Sequence, residues 1–495
     1  MTQKPASEET IHRLYENMGN NFSLYVPILC SCVSSLESLE DIDEKEYKCI
    51  KEFKLWKIFI RLYVFSLLMD LDLSTFLRAN FRTMLVPEKR FNLKYINVIT
   101  LEGYKYLFGF GKDKDNAIWA KFKILAKEIN DSELLTDINK IEQQAKEFEN
   151  SYALSTDKDT RNLSIHYDLY PQKVYDFLIQ IGEDTETNRI NAFLKIIKDI
   201  LPFLHKYILK FQIPLIYSTD NYNIDVREKI NYFPDGNNKL FNELGAQITL
   251  YSNNLDSIVS NCKKTKIVQD KFKLGETFEG RLQTIVKSIY LGVHIHFIYL
   301  DLASAIRAYL SSEYYFEKQL NLRRINIIVY EGFKHIYGYT DIEQSKSFWK
   351  QNIYSILISS TDKNLTDLLV KIERELKELA VSDDINNMQL RECSVHYRFK
   401  DRDNTLTLFN ALVKTNPLIE MNKAMKLLKI LPELINLNTN SISVVNSTEL
   451  EKIKLSNADT IEKIDSCLMM IEQANVDPEL KLKTIETINA IKKLL

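Results

Sequence analysis

The sequence predicts an all-α protein made of two duplicated helical bundles, and three observations carry that expectation. Apolar residues recur at helical spacing through most of the chain. Glycine and proline are scarce, 12 and 10 in 495 residues, which favours helices over turn-rich sheets. A stretch of the first half also returns in the second, displaced by 229 or 230 positions.

In chain order, residues 9–39 form a first amphipathic segment, followed by the acidic, loop-like stretch 40–46. A long apolar helix spans about 51–82 and contains Asp72 and Arg78. Pro87 interrupts before a helix over 92–109, which Gly109 is placed to end in a left-handed cap. Residues 116–153 read as one or two helices, with Trp119 early and a capped restart at 134–137. The loop 155–160 delivers Arg161. After Pro171, helical segments run over 172–182 and 186–210, the latter interrupted at Pro202.

The second half repeats this programme. Asp301 to Ala308 matches Asp72 to Ala79, and Asn321 to Gly338 matches Asn92 to Gly109. Trp349 answers Trp119, and Ile430-Leu431-Pro432 answers Ile200-Leu201-Pro202. The polar region near 215–240 is the joint. Beyond about 440 there is no third copy, and 447–474 and 478–495 read as a helical hairpin, its second arm opening at Asp477-Pro478. The expected divisions are therefore 1–225, 226–440 and a C-terminal hairpin over 441–495, with the two bundles in a pseudo-twofold arrangement.

The composition, 45% hydrophobic and 27% charged, is that of an ordinary globular protein. A formal charge of -2 denies the chain a global basic field, so any nucleic-acid site must be a local cleft. The six cysteines form neither a disulfide framework nor a zinc spacing, and all six are expected as reduced thiols. No metal or cofactor is implied. The N-terminus lacks a signal segment. The most apolar stretches, 58–77 and 288–310, carry charges such as Arg61, Asp70, Asp301 and Arg307, and read as buried helices rather than membrane spans. A cytoplasmic protein is expected.

One short motif occurs twice: Arg161-Asn162-Leu163-Ser164-Ile165-His166-Tyr167 and Arg391-Glu392-Cys393-Ser394-Val395-His396-Tyr397. Of seven histidines, His166 and His396 are the two at equivalent positions. Each follows an arginine by five residues and precedes a tyrosine. A permanent cation that grips phosphate beside a ring that moves a proton near neutral pH suits phosphodiester cleavage. On a regular helix Asn162 and Glu392 fall on the faces of their histidines. A carboxylate near His396 should raise its pKa, making His396 the better acid and His166 the better base. Asp72 and Asp301 recur within apolar helices, where they fix helix register or orient the arginines. Lys94, Arg323 and Arg324 are candidates to line an RNA path, with a solvated face as the alternative. Gly103 and Gly332 permit close helix packing, and no Gly-rich phosphate loop accompanies them.

The duplicated R-x4-H motif on helical domains resembles the HEPN superfamily, over roughly 50–210 and 280–438. Arg161-Asn162 leading to His166 matches that family's pattern well, whereas Glu392 and Arg398 depart from it. The resemblance implies a metal-independent endoribonuclease whose two motifs form one composite site within an intramolecular pseudo-dimer. Arg161, His166, Arg391 and His396 would be catalytic, supported by Asn162, Glu392, Tyr167 and Tyr397, and RNA would be the substrate. It further implies a toxin or antiviral defence effector acting with a regulatory or sensor protein. The rival readings are an inactive tandem module that binds RNA or a nucleotide, and a helical adaptor that docks a partner. Higher oligomerisation through the tail stays open.

Overall fold

The computed structural model describes residues 8–41, 51–152, 154, 171–215, 235–271, 276–358, 360, 362–381, 398–399, 402–403, 405–473 and 485–486. The chain is all-helical, and the extended pairing among these residues is a two-residue antiparallel ladder between Arg398–Phe399 and Arg402–Asp403. The first half contributes α1 (Glu8–Asp41), α2 (Lys51–Arg82), α3 (Val86–Leu107), α4 (Ile118–Ile129), α5 (Ser132–Ser151), α6 (Pro171–Gln180) and α7 (Glu183–Lys210). The second contributes α8 (Asp235–Lys271), α9 (Glu276–Leu310), α10 (Tyr315–Ile336), the short α11 (Asp341–Lys346), α12 (Lys363–Val381), α13 (Thr405–Lys414) and α14 (Pro417–Gln473). A π turn, Trp349–Tyr354, holds the place that α4 holds in the first half.

Helices α3 and α10 are buried on nearly every face, so amphipathic periodicity is weak in both. Each lies close against the preceding helix. A Cβ on Gly103 would meet Met69 Cε at 2.0 Å, and one on Gly332 would meet Ile298 Cγ2 at 2.8 Å, so both glycines serve packing. Gly109 and Gly338 follow these helices with φ of 71° and 84°, the left-handed geometry expected of Gly109. Trp119 and Trp349 are both fully buried, and the apolar side chains of both halves join in one continuous core.

Several boundaries differ from expectation. Helix α3 begins at Val86 with Pro87 in its first turn, where a missing N–H costs nothing. The cap of α5 is Asp131, whose carboxylate accepts the Leu134 N–H at 2.9 Å. Asp137 instead accepts from Lys206 and the Tyr207 hydroxyl on α7. Pro202 does not interrupt α7. It sits on the exposed face, where water can satisfy the carbonyl it leaves behind. Part of the expected joint is the first turn of α8. Helix α14 runs without a break through position 441, so residues 447–473 continue the last helix of the second half. Residues 478–495, the expected second arm, lie outside the described residues except for Ile485 and Glu486.

Candidate functional site

The contacts between the halves come in matched pairs. Helix α3 packs on α8 and α9, and its counterpart α10 packs on α1 and α2. Helix α6 packs on α9 and α13 packs on α2. The side chains follow the same rule. Asp72 Oδ2 accepts from Arg323 Nη2 at 2.8 Å, and Asp301 Oδ2 accepts from Lys94 Nζ at 2.5 Å. Positions 72 and 301, and 94 and 323, are each 229 apart. Arg78 Nε reaches Glu317 at 3.2 Å, and Arg307 Nε reaches Glu88 at 3.0 Å, again with both partners displaced by 229. Lys263 donates to Asp176 at 3.1 Å between α8 and α6, and Asn410 donates to Glu37 at 3.1 Å between α13 and α1.

Each buried arginine is clamped by the first helix of its own half. Arg78 Nη1 donates to the Tyr15 carbonyl and its guanidinium lies 3.9 Å from the Tyr15 ring centroid. Arg307 Nη1 donates to the Phe241 carbonyl and lies 3.6 Å from that ring. Gly19 and Gly245 make room, since a Cβ there would stand 2.5 and 2.6 Å from the respective Nη1. Tyr15 and Phe241 are 226 apart, as are Gly19 and Gly245. These residues lie N-terminal to the matched stretches that begin at Asp72 and Asp301, so the sequence repeat did not reveal this constellation. The signal available was small: an aromatic and a glycine four residues on, in α1 and again in α8. Glu88-Lys89 recurring as Glu317-Lys318 was another.

These contacts correct one sequence expectation. Lys94, Arg323 and Arg324 do not line an exposed path: their exposures are 3%, 4% and 0%, and they point into the seam between the halves. Arg324 joins Lys94 on Asp301, at 3.1 Å, and donates to Asn92 at 2.6 Å. Taking such charges out of water is costly unless they are paired, so the carboxylates that meet them fix where they go. Burial lowers the Lys94 pKa and Asp301 partly restores it. Burial likewise raises Glu88, opposed by Arg307. Asp72 and Asp301, the proposed supporting residues, are thus members of this seam.

Arg161, Asn162, His166, Tyr167, Arg391, Glu392, His396 and Tyr397 lie outside the described residues. In sequence, the first motif ends four residues before Pro171, which opens α6. The second ends at Tyr397, eight residues before Thr405 opens α13.

Two of the other histidines, His294 and His335, pack against each other. Their rings meet in a tilted contact at 4.4 Å between centroids, and the matched residues Phe65 and Tyr106 do so at 4.3 Å. Burial, then the neighbouring His335, holds His294 well below the usual imidazole range. Cys30 and Cys32 are free and buried, and burial pushes the Cys30 thiol up to about 11. Among the described residues no group of three or more His, Cys, Asp or Glu is gathered as a metal site.

Two stretches, His12–Glu40 and Ile285–Leu310, are long and apolar enough to cross a membrane, which the sequence reading did not expect. The second is almost wholly buried inside the protein, and the first is more than half buried. Compared with protein-family models, curated proteins and solved structures, the chain has no match.

Proposed function

We propose that the chain is a tandem HEPN-like endoribonuclease whose two R-x4-H motifs meet between its halves. The observation that carries this reading is the reciprocal seam. Arg78 with Glu317 mirrors Arg307 with Glu88, and Asp72 with Arg323 mirrors Asp301 with Lys94. Tyr95 and Arg324, themselves matched positions, touch each other with the guanidinium 4.8 Å from the ring. In an isologous pairing a residue that meets its own counterpart lies on the axis. Helices α6 and α13, which follow the two motif segments in sequence, both pack across this seam.

In the proposed reaction RNA supplies its own nucleophile. His166 removes the 2′-OH proton as the oxygen attacks phosphorus. His396 protonates the departing 5′-oxygen, and Arg161 and Arg391 hold the charge of the phosphorane. The products are a 2′,3′-cyclic phosphate and a 5′-OH. The role of a cytoplasmic toxin or antiviral effector under control of a sensor protein follows from the HEPN resemblance alone.

The test is end-labelled RNA incubated with purified protein in EDTA. Cleavage with a cyclic-phosphate end, abolished by His166→Ala and by His396→Ala, is the expected result. RNA binding without cleavage in active buffer, or no interaction with RNA, rejects the nuclease in favour of a binding module or an adaptor.

A further inference from the structure

The two arginine clamps differ at one edge. Around Arg78 the third edge is closed: Nη2 donates to Glu313 at 2.7 Å. The Tyr15 hydroxyl also donates to Glu313, at 2.7 Å, and Arg82 donates to that hydroxyl at 2.7 Å. The Arg78 side chain is 1% exposed. In the other half, Met84 stands where Glu313 would be, Phe241 has no hydroxyl where Tyr15 has one, and Ser311 replaces Arg82. The carboxylate and both groups that steady it are missing together.

Arg307 is otherwise set in the same way, with Nε on Glu88, Nη1 on the Phe241 carbonyl and its plane against the Phe241 ring. Its Nη2 makes no hydrogen bond among these contacts, and its side chain is 8% exposed against 1% for Arg78. Glu88, which holds Arg307 Nε, also accepts from Thr83 in the α2–α3 turn at 2.6 Å, and that turn presents Met84 and Val86, 89% and 56% exposed. A guanidinium locked on two edges and stacked on a ring has already lost its freedom, so an incoming carboxylate meets a preorganised donor.

We propose that Arg307 Nη2 and the exposed Met84–Val86 turn form a docking site for an acidic segment of a partner protein. A Glu or Asp carboxylate takes the place that Glu313 fills on Arg78, and a neighbouring apolar side chain covers Met84 and Val86. The choice of a carboxylate rests on Glu313, which occupies the matched place within this same chain. The site is independent of the proposed nuclease.

The probe is a fluorescein-labelled peptide with the sequence of residues 311–318, Ser-Ser-Glu-Tyr-Tyr-Phe-Glu-Lys, followed by anisotropy against the full chain. Saturable binding is expected. It should weaken at least tenfold when the peptide's first Glu becomes Gln, and at least tenfold in Met84→Glu, which fills the place from within. Because Met84 is exposed, that variant leaves the core intact, and it should melt at a higher temperature than the parent. Absence of binding, equal binding by the Gln peptide or by Met84→Glu, or displacement of the peptide by inorganic phosphate or RNA at lower concentration overturns the assignment. A melting temperature unchanged by Met84→Glu overturns the geometry beneath it.

Discussion

Asp70 is fully buried on α2, where it accepts from Asn21 at 2.8 Å. Burial raises its pKa to about 6, with Lys198, Asn21 and Ser74 opposing. A carboxyl that titrates higher in the folded state favours folding most below its unfolded pKa. That contribution is lost as pH rises from about 4 through about 6. Asp70→Asn keeps the Asn21 contact without the charge. It should therefore stabilise the protein at pH 7.5 by up to about 3 kcal/mol and change little at pH 4, as read from urea unfolding at both pH values. The matched residue is Tyr299, bonded to Gln247, so the second half meets the same helix contact with a neutral group. The histidine pair is a second case. His294→Phe with His335→Tyr recreates the Phe65–Tyr106 ring contact of the first half and should leave the melting temperature and the RNA-cleavage rate near those of the parent. A large loss in cleavage alone would give that pair a functional role.

Between elements, the seam is held by charges that cannot be removed singly. Asp72→Asn leaves Arg323 short of its carboxylate in a buried place and should cost about 3–5 kcal/mol. Replacing both, as Asp72→Leu with Arg323→Met, should recover most of that loss, since paired apolar groups of similar size avoid the desolvation cost. Chemical denaturation of the two singles and the double completes the cycle, and additive losses would contradict direct coupling. The first helix of each half is pinned differently, by a guanidinium against a glycine. Gly19→Ala and Gly245→Ala push against Arg78 and Arg307, whose Nε groups are held by Glu317 and Glu88, and each should destabilise by about 1–3 kcal/mol. These helices also mark where the sequence became hard to read. The repeat was legible from residue 72 onward because α2, α3 and their counterparts keep polar residues inside apolar runs. In α1 and α8 the shared features reduce to Tyr15 and Phe241 with Gly19 and Gly245, too few to define a repeat. Lys94, Arg323 and Arg324 were misread for a related reason. Basic residues in sequence look like surface, and the carboxylates that meet Lys94 and Arg323 lie more than two hundred positions away, as does Asn92, which meets Arg324.

At the scale of the whole molecule, the all-helical class was plain from the scarcity of glycine and proline and from the apolar spacing. The single long α14 was not, because Asn and Ser residues near 436–447 resemble a break although the helix passes through them. The candidate catalytic residues were legible only as a pair, through a coincidence of spacing in two copies, and their segments lie outside the described residues. In sequence they precede α6 and α13, which pack across a seam whose contacts recur half for half. The most direct test is therefore a distance. In the full chain with native cysteines replaced by serine, nitroxides at Ser164→Cys and Ser394→Cys are measured by pulsed electron paramagnetic resonance. The account predicts one narrow population at about 20 Å or less, since both histidines must come within hydrogen-bond reach of one phosphodiester. A single population well beyond that distance, with or without RNA, would contradict a shared site between the halves.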